Sequence, residues 1–400
     1  MMEAIFHEWI SLFVRWAHII AAIGWIGSSF YFMGLDYSLR RRKGMSEDKL
    51  GENWTVHGGG FYHIVKYKVA PEEMPEELTW FKWESYFTWM TGFAMMIVVY
   101  YWGAKGFLID REVMALSVPV AIAISVGSLA AGWFAYDALC KSRLRENPPV
   151  MFGVLFAALV VAAWGFGEVF SARAAWLHIG AVIATIMSAN VFLVIIPNQR
   201  IVVEDLKAGR APDARYGKIA KLRSTHNNYL TLPVILMMIS NHYPIAFGHP
   251  YSWVLIAMIL VIGAAIRDWF NGHDKALSGL AMRWQWPTAI MLAICMMWFS
   301  SWRPDQRAAE RAAGLDPGLA MAVLSAHCTA CHAALPQHAG FDEAPGGVML
   351  EEIADIRAHS SKILAQAVLS KAMPLGNETD MTAQERAVLG AWLRAGAPLP

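Results

Sequence analysis

The stretch AAWLHIGAVIATIMSANVFLVIIP, residues 174–197, holds no Lys, Arg, Asp or Glu and one ionisable side chain, His178. As a helix rising 1.5 Å per residue it is long enough to cross the roughly 30 Å hydrocarbon core of a bilayer. Outward from it, further apolar runs lie at about 10–35, 84–104, 114–139, 150–170, 226–247, 250–270 and 284–302. The chain is 56% hydrophobic with 18 Trp and 22 Met, and its mean hydropathy of +0.36 exceeds that of ordinary soluble domains. The reading is all-α: a polytopic membrane bundle of about eight helices over residues 1–302. The first run has no Lys or Arg before Arg15, so it lacks the basic start of a signal peptide and is read as a retained span.

Charge between the runs sets the expected orientation. Arg40, Arg41, Arg42 and Lys43 follow the first run, Lys141, Arg143 and Arg145 the third, and seven basic residues between Arg200 and Arg223 the fifth. Lys275 and Arg283 follow the seventh, whereas the alternate connections carry only Lys105, Arg111 and Arg173. Basic loops stay cytoplasmic, so both ends of the chain are expected on the periplasmic side of the membrane.

Beyond a polar linker at 303–318, the run Cys328-Thr329-Ala330-Cys331-His332 has the C-x-x-C-H spacing of a c-type haem attachment site. Its two thiols take up the haem vinyl groups and its histidine becomes an axial ligand. Met373, before Pro374, is the expected opposite ligand, with Met349 and Met381 as the other thioethers in range. A zinc half-site would need a second Cys/His pair, and the tail has no further cysteine. Residues 319–400 therefore read as a small helical cytochrome c domain on the outer side, where haem c is matured, which agrees with the loop charges.

The spans also look duplicated. Trp16-Ala17-His18 resembles Trp176-Leu177-His178, Met95-Met96-Ile97 resembles Met237-Met238-Ile239, and Gly132/Asp137 recur as Gly263/Asp268, giving a 4+4 parallel repeat. A two-fold arrangement sets His18 opposite His178 in the outer half of the membrane, as candidate ligands of a b-type haem. Each histidine can instead simply hydrogen-bond a neighbouring helix. His242 and His249, on the same side, are spare candidates.

On the cytoplasmic side, the 36–83 insertion holds Trp54-Thr55-Val56-His57-Gly58-Gly59-Gly60-Phe61-Tyr62-His63 and then Val65-Lys66-Tyr67-Lys68-Val69, the pattern of a two-stranded hairpin. Its glycines would let backbone amides approach a bound group, and His57, His63, Lys66 and Lys68 are candidates to meet an anionic heterocycle. Glu84, His226, Asn227 and Tyr229 lie on the same side and could complete such a site. The alternative is an interfacial aromatic belt with membrane-facing lysines, and no GK[ST] follows the glycines to make a phosphate loop.

With these motifs in view, the chain resembles the membrane-bound urate oxidase (urate hydroxylase) family with a fused cytochrome c tail. The resemblance rests on Trp16-Ala17-His18 with Gly24-Trp25-Ile26-Gly27-Ser28-Ser29-Phe30-Tyr31-Phe32, on the 57–68 segment and on the C-x-x-C-H tail. It implies an oxidoreductase of a bacterial inner membrane that converts urate to 5-hydroxyisourate in purine breakdown. The electrons would pass through the fused haem c to a soluble cytochrome c. The first span is also similar to HemJ-type haem-b proteins, which leaves two alternatives: a haem-b oxidoreductase, or a relay from quinol or a partner to cytochrome c. No nucleic-acid partner is expected, and the oligomeric state stays open. The topology predicts that reporter fusions at residues 210 and 400 report opposite compartments; the same compartment at both would contradict the eight-span arrangement.

Overall fold

The computed structural model describes residues 2–71, 74–275, 283–338 and 341–399. Parts of the 36–83 insertion, of the connection after the seventh run and of the Gly/Pro-rich tail stretch lie outside the described residues. Helices occupy all eight apolar windows. They are α1 (Met2–Ser38), α2 (Trp83–Met95, prolonged by a π-helical turn, Met96–Tyr101), α3 (Val118–Lys141) and α4 (Pro148–Gly167). After these come α5 (Ala172–Lys207), α6 (Ala214–Ile239), α7 (Ser252–Asp274) and α8 (Gln285–Ser301). By length and composition alone, α1, α3, α4, α5 and α7 could cross a membrane. The other three depart for physical reasons: α2 changes to π geometry at Met96, α6 carries His226-Asn227-Asn228 within its run, and α8 has 17 residues.

Local chemistry starts these helices. The Ser171 hydroxyl accepts from the Ala174 amide ahead of α5, and Asn147 accepts from Val150 ahead of α4, whose first turn holds Pro148 and Pro149. The main core lies among α3 to α7 and includes Trp176, Ile183, Met187, Leu155, Leu230 and Ile259. Thus α5 is the central helix, with most of its apolar window buried, while the apolar window of α1 faces outward. The two W-x-H helices are therefore not equivalent: Trp16 is 63% exposed and Trp176 1%.

Two of the glycines that suggested a repeat sit at close helix crossings, against different partners. A Cβ on Gly132 would stand 2.6 Å from Val182 Cγ1, and one on Gly263 would stand 2.5 Å from the Pro233 ring. Each marks a helix crossing too close for a side chain. Pro233 lies inside α6, and Gly263 of α7 provides the room its ring takes.

The insertion forms an antiparallel hairpin, β1 (Lys49–His57) with β2 (Gly60–Tyr67). Gly58 and Gly59 sit at φ +59° and +79°, the positive values that a tight two-residue hairpin turn demands.

The tail packs around its own core. Helices α9 (Pro304–Ala313), α10 (Pro317–His327), α11 (Ile353–Ala358) and α12 (Ala383–Arg394) are joined by short helical turns. Trp392, Leu389, Met381 and Ile356 are fully buried there. Thr382 and Glu385 form a capping box at α12, and the backbone and hydroxyl of Thr382 hold the Glu385 carboxyl down to about 2.

Gly263→Val should cost about 1–3 kcal/mol of stability through overpacking, read as a lowered unfolding midpoint in detergent. Gly165→Val is the control, because a Cβ there meets nothing within 4 Å. Equal effects of the two substitutions would contradict the crossing.

Candidate functional site

A cavity of about 210 Å³ lies between α1, α2 and α5, next to the connections that follow α2 and α6. Trp25, Trp89 and Phe93 wall it on one side, while Arg15, Arg173, Tyr100, Asn241 and His242 gather at its other end. The Tyr100 hydroxyl donates to Asn241 Oδ1 at 2.7 Å. The Arg173 guanidinium lies over the rings of Phe107 and Phe247. Among the described residues, neither Arg15 nor Arg173 has a carboxylate within ion-pair distance.

His18 lines the cavity. Its Nδ1 lies 3.1 Å from the Thr88 carbonyl and 3.2 Å from Thr91 Oγ1. A carbonyl only accepts, so Nδ1 carries the proton and Nε2 keeps its lone pair. Gly92 makes this possible, since a Cβ there would stand 2.9 Å from His18 Cε1.

His178 is placed differently. It is fully buried, its Nδ1 donates to the Ala174 carbonyl at 2.7 Å and its Nε2 bonds Ser125 Oγ at 2.6 Å. Phe170 stacks on the ring at 4.4 Å. Both nitrogens are used within the bundle, so the expected pairing of His18 with His178 across one site does not form. His249 is likewise satisfied, by the Trp302 carbonyl and the Tyr251 amide. It is His242 that shares the cavity with His18.

The candidates on and below the hairpin do not converge. Lys66 pairs with Asp36, which also takes Lys221, and Lys68 reaches Glu47. His63 stacks on its cross-strand neighbour Trp54 at 4.2 Å and bonds Glu52 at 2.8 Å. His57 is exposed at the hairpin end, and the glycines beside it serve the turn. Glu84 lies half-buried against Gly24.

His226, Asn227 and Tyr229 belong to a buried lattice between helices. The Tyr136 hydroxyl lies 2.8 Å from His226 Nδ1, and the Asn190 amide donates to Tyr136 and to Asn227 Oδ1. The Tyr229 hydroxyl donates to Asp268, which also accepts from Gln285. Arg223, 3% exposed, reaches Asp137 at 2.6 Å.

In the tail, the Cys331 and His332 amides both bond back to the Cys328 carbonyl, which brings both thiols and the imidazole onto one turn. The thiols are free. Burial pushes Cys328 up to about 11 and raises Cys331, so neither is poised as a thiolate nucleophile. His332 Nδ1 bonds the Val348 carbonyl at 2.9 Å, leaving Nε2 without a protein partner among the described residues. That is the posture of an imidazole ligand. Met373 packs against the same core as Cys328, and its carbonyl is held by Arg386 at 2.7 Å. Of the other thioethers, Met381 is fully buried and Met349 is 41% exposed. Among the described residues no group of three or more His, Cys, Asp or Glu gathers as a metal site; a haem asks for single ligands.

Sequence reasoning missed Arg15, Arg173, Tyr100 and Asn241. The signal was present, since Arg15 and Arg173 each lie just ahead of a W-x-H within or at the edge of an apolar run, where a charge is costly.

Asp137→Ala should strand the buried Arg223 charge and cost about 3–5 kcal/mol, measured as a fall in the unfolding midpoint. Replacing both partners by Leu and Met should restore most of it. Unchanged stability in the single variant would contradict the pairing.

Comparison with known proteins gives one family: the family model described as Urate oxidase N-terminal matches residues 4–300. No curated protein and no solved structure matches the chain.

Proposed function

The chain belongs to the urate oxidase N-terminal family, and from that membership we propose that it oxidises urate at the membrane and passes the electrons through its tail to a soluble c-type cytochrome. The family match over residues 4–300 carries the reading. Two features of the chain support its finer parts: the cavity beside His18, and the C-x-x-C-H turn with Met373 in the tail.

Urate is a planar anion. The cavity offers two arginines without carboxylate partners, aromatic walls, and the hydroxyl and amide of Tyr100 and Asn241 for edge hydrogen bonds. In this reading Arg15 and Arg173 hold the charge, Trp89 or Phe93 meets the ring face, and His18 Nε2 accepts a proton as general base. The urate anion and water become 5-hydroxyisourate, one proton and two electrons, the added oxygen coming from water. Removing a proton raises the electron density of the purine and eases its oxidation.

His18 is also the remaining candidate for a haem b ligand, with His242 as its neighbour. The polar groups that line the cavity, Arg15, Arg173, Tyr100 and Asn241, favour the substrate reading. In the tail, Cys328 and Cys331 would attach haem c, with His332 and Met373 as axial ligands; such a group supplies one-electron transfer. The two electrons of urate therefore leave in sequence, to two acceptor molecules. The linker expected at 303–318 would be confined to Arg303 and to residues 314–316, because Pro304–Ala313 forms helix α9, held to α12 by the Glu310–Arg394 pair, and the haem-bearing side would be periplasmic.

Purified, haem-replete protein should show reduced haem c after anaerobic addition of urate. Replacing Cys328 and Cys331 by Ser should abolish turnover with a cytochrome acceptor while leaving urate binding within about threefold of wild type. His18→Ala should lower kcat by roughly 10²–10⁴-fold, the usual contribution of a general base. If urate leaves the haem oxidised, the assignment is wrong and the relay reading replaces it.

A further inference from the structure

We infer that the segment around Met373 is the face through which the tail takes electrons, that it is seated on a platform formed by the 103–112 connection and Gly248, and that Glu112 positions it there. The seat is built from missing side chains. A Cβ on Gly106 would stand 3.2 Å from Leu375 Cγ, one on Gly376 would collide with the Lys105 carbonyl, and one on Gly248 would collide with Ser370. On both sides of Met373 the chain touches the membrane unit, Ala372 packing against the main core and Leu375 against Gly106. Polar contacts fix the register. Glu112 accepts from Asn377 Nδ2 at 3.1 Å and lies 3.5 Å from Lys371 Nζ. Arg303 bonds the carbonyls of both Gly248 and Leu369, so it joins the two units at the seam.

The platform is also the roof of the cavity. Phe107 and Arg173 line the cavity, and the residue next to Phe107, Gly106, is the one that Leu375 covers. Arg173 lies between Phe107 and Phe247, which neighbour the two platform glycines. One layer of side chains therefore separates the cavity from the Met373 loop. An electron leaving a substrate there has its shortest protein path through this seam. The direction of transfer rests on the proposed function; the seating does not.

Two measurements test it. Zero-length carbodiimide coupling in intact membranes should join Lys371 to Glu112, both partly exposed, giving a cross-linked peptide pair by mass spectrometry that Glu112→Gln loses. In stopped-flow, Glu112→Lys and Gly106→Trp should each slow urate-driven haem c reduction tenfold or more. The haem spectrum and complete reduction by dithionite should stay as in wild type, which also shows that each variant has folded. Absence of the cross-link in wild type overturns the seating. Wild-type reduction rates in both variants overturn the electron route. If urate fails to reduce the wild-type haem, the functional reading falls and the cross-link alone decides the seating.

Discussion

Inside a bilayer a polar side chain has no water to fall back on, so it needs a partner within the protein. Most of the arrangement follows from that constraint. Arg223 is held by Asp137, Asn190 by Asn227 and Tyr136, Asn271 by Asn228, and Tyr229 by Asp268. These bonds fix α3, α5, α6 and α7 relative to one another. They also use up nearly every polar group that an intramembrane reaction would need. What is left over is informative: His18 Nε2 and the guanidinium groups of Arg15 and Arg173 gather where α1 and α2 meet α5. Among the described residues, these pairings serve cohesion, whereas the groups beside the cavity stay open to it.

The difference between His18 and His178 shows how environment overrides motif. Both follow a tryptophan at the same spacing, His18 in the middle of α1 and His178 in the second turn of α5. The central helix α5 is surrounded, so its histidine meets Ser125 and Ala174 and becomes part of the core. The outer helix α1 has a neighbour on one face, so its histidine keeps one nitrogen open. Gly92 is the enabling residue, since any side chain there would push the imidazole aside.

Much of the fold was legible in the sequence because long apolar runs have few ways to satisfy their backbone. The helix windows, the hairpin at 49–67 and the separately packed tail all follow from run length, strand alternation and turn residues. The site was less legible. The Gly58-Gly59 pair looked like a place for a ligand and is a turn; Lys66 and Lys68 looked available and are paired with Asp36 and Glu47. Charge pairing between distant segments leaves no local trace. The same holds for the seam under the tail, where Gly106, Gly248 and Gly376 matter because of what lies opposite each of them.

The proposed function turns on one step, that the electrons of urate would leave through a haem held by the tail to a soluble cytochrome and not to dioxygen. The direct measurement is stoichiometric. Urate, the intact protein and excess oxidised soluble cytochrome c are mixed under argon in water enriched in heavy oxygen. The account predicts two cytochromes reduced per urate consumed and the heavy isotope in the product. Consumption that requires dioxygen and yields hydrogen peroxide in proportion to urate would contradict it.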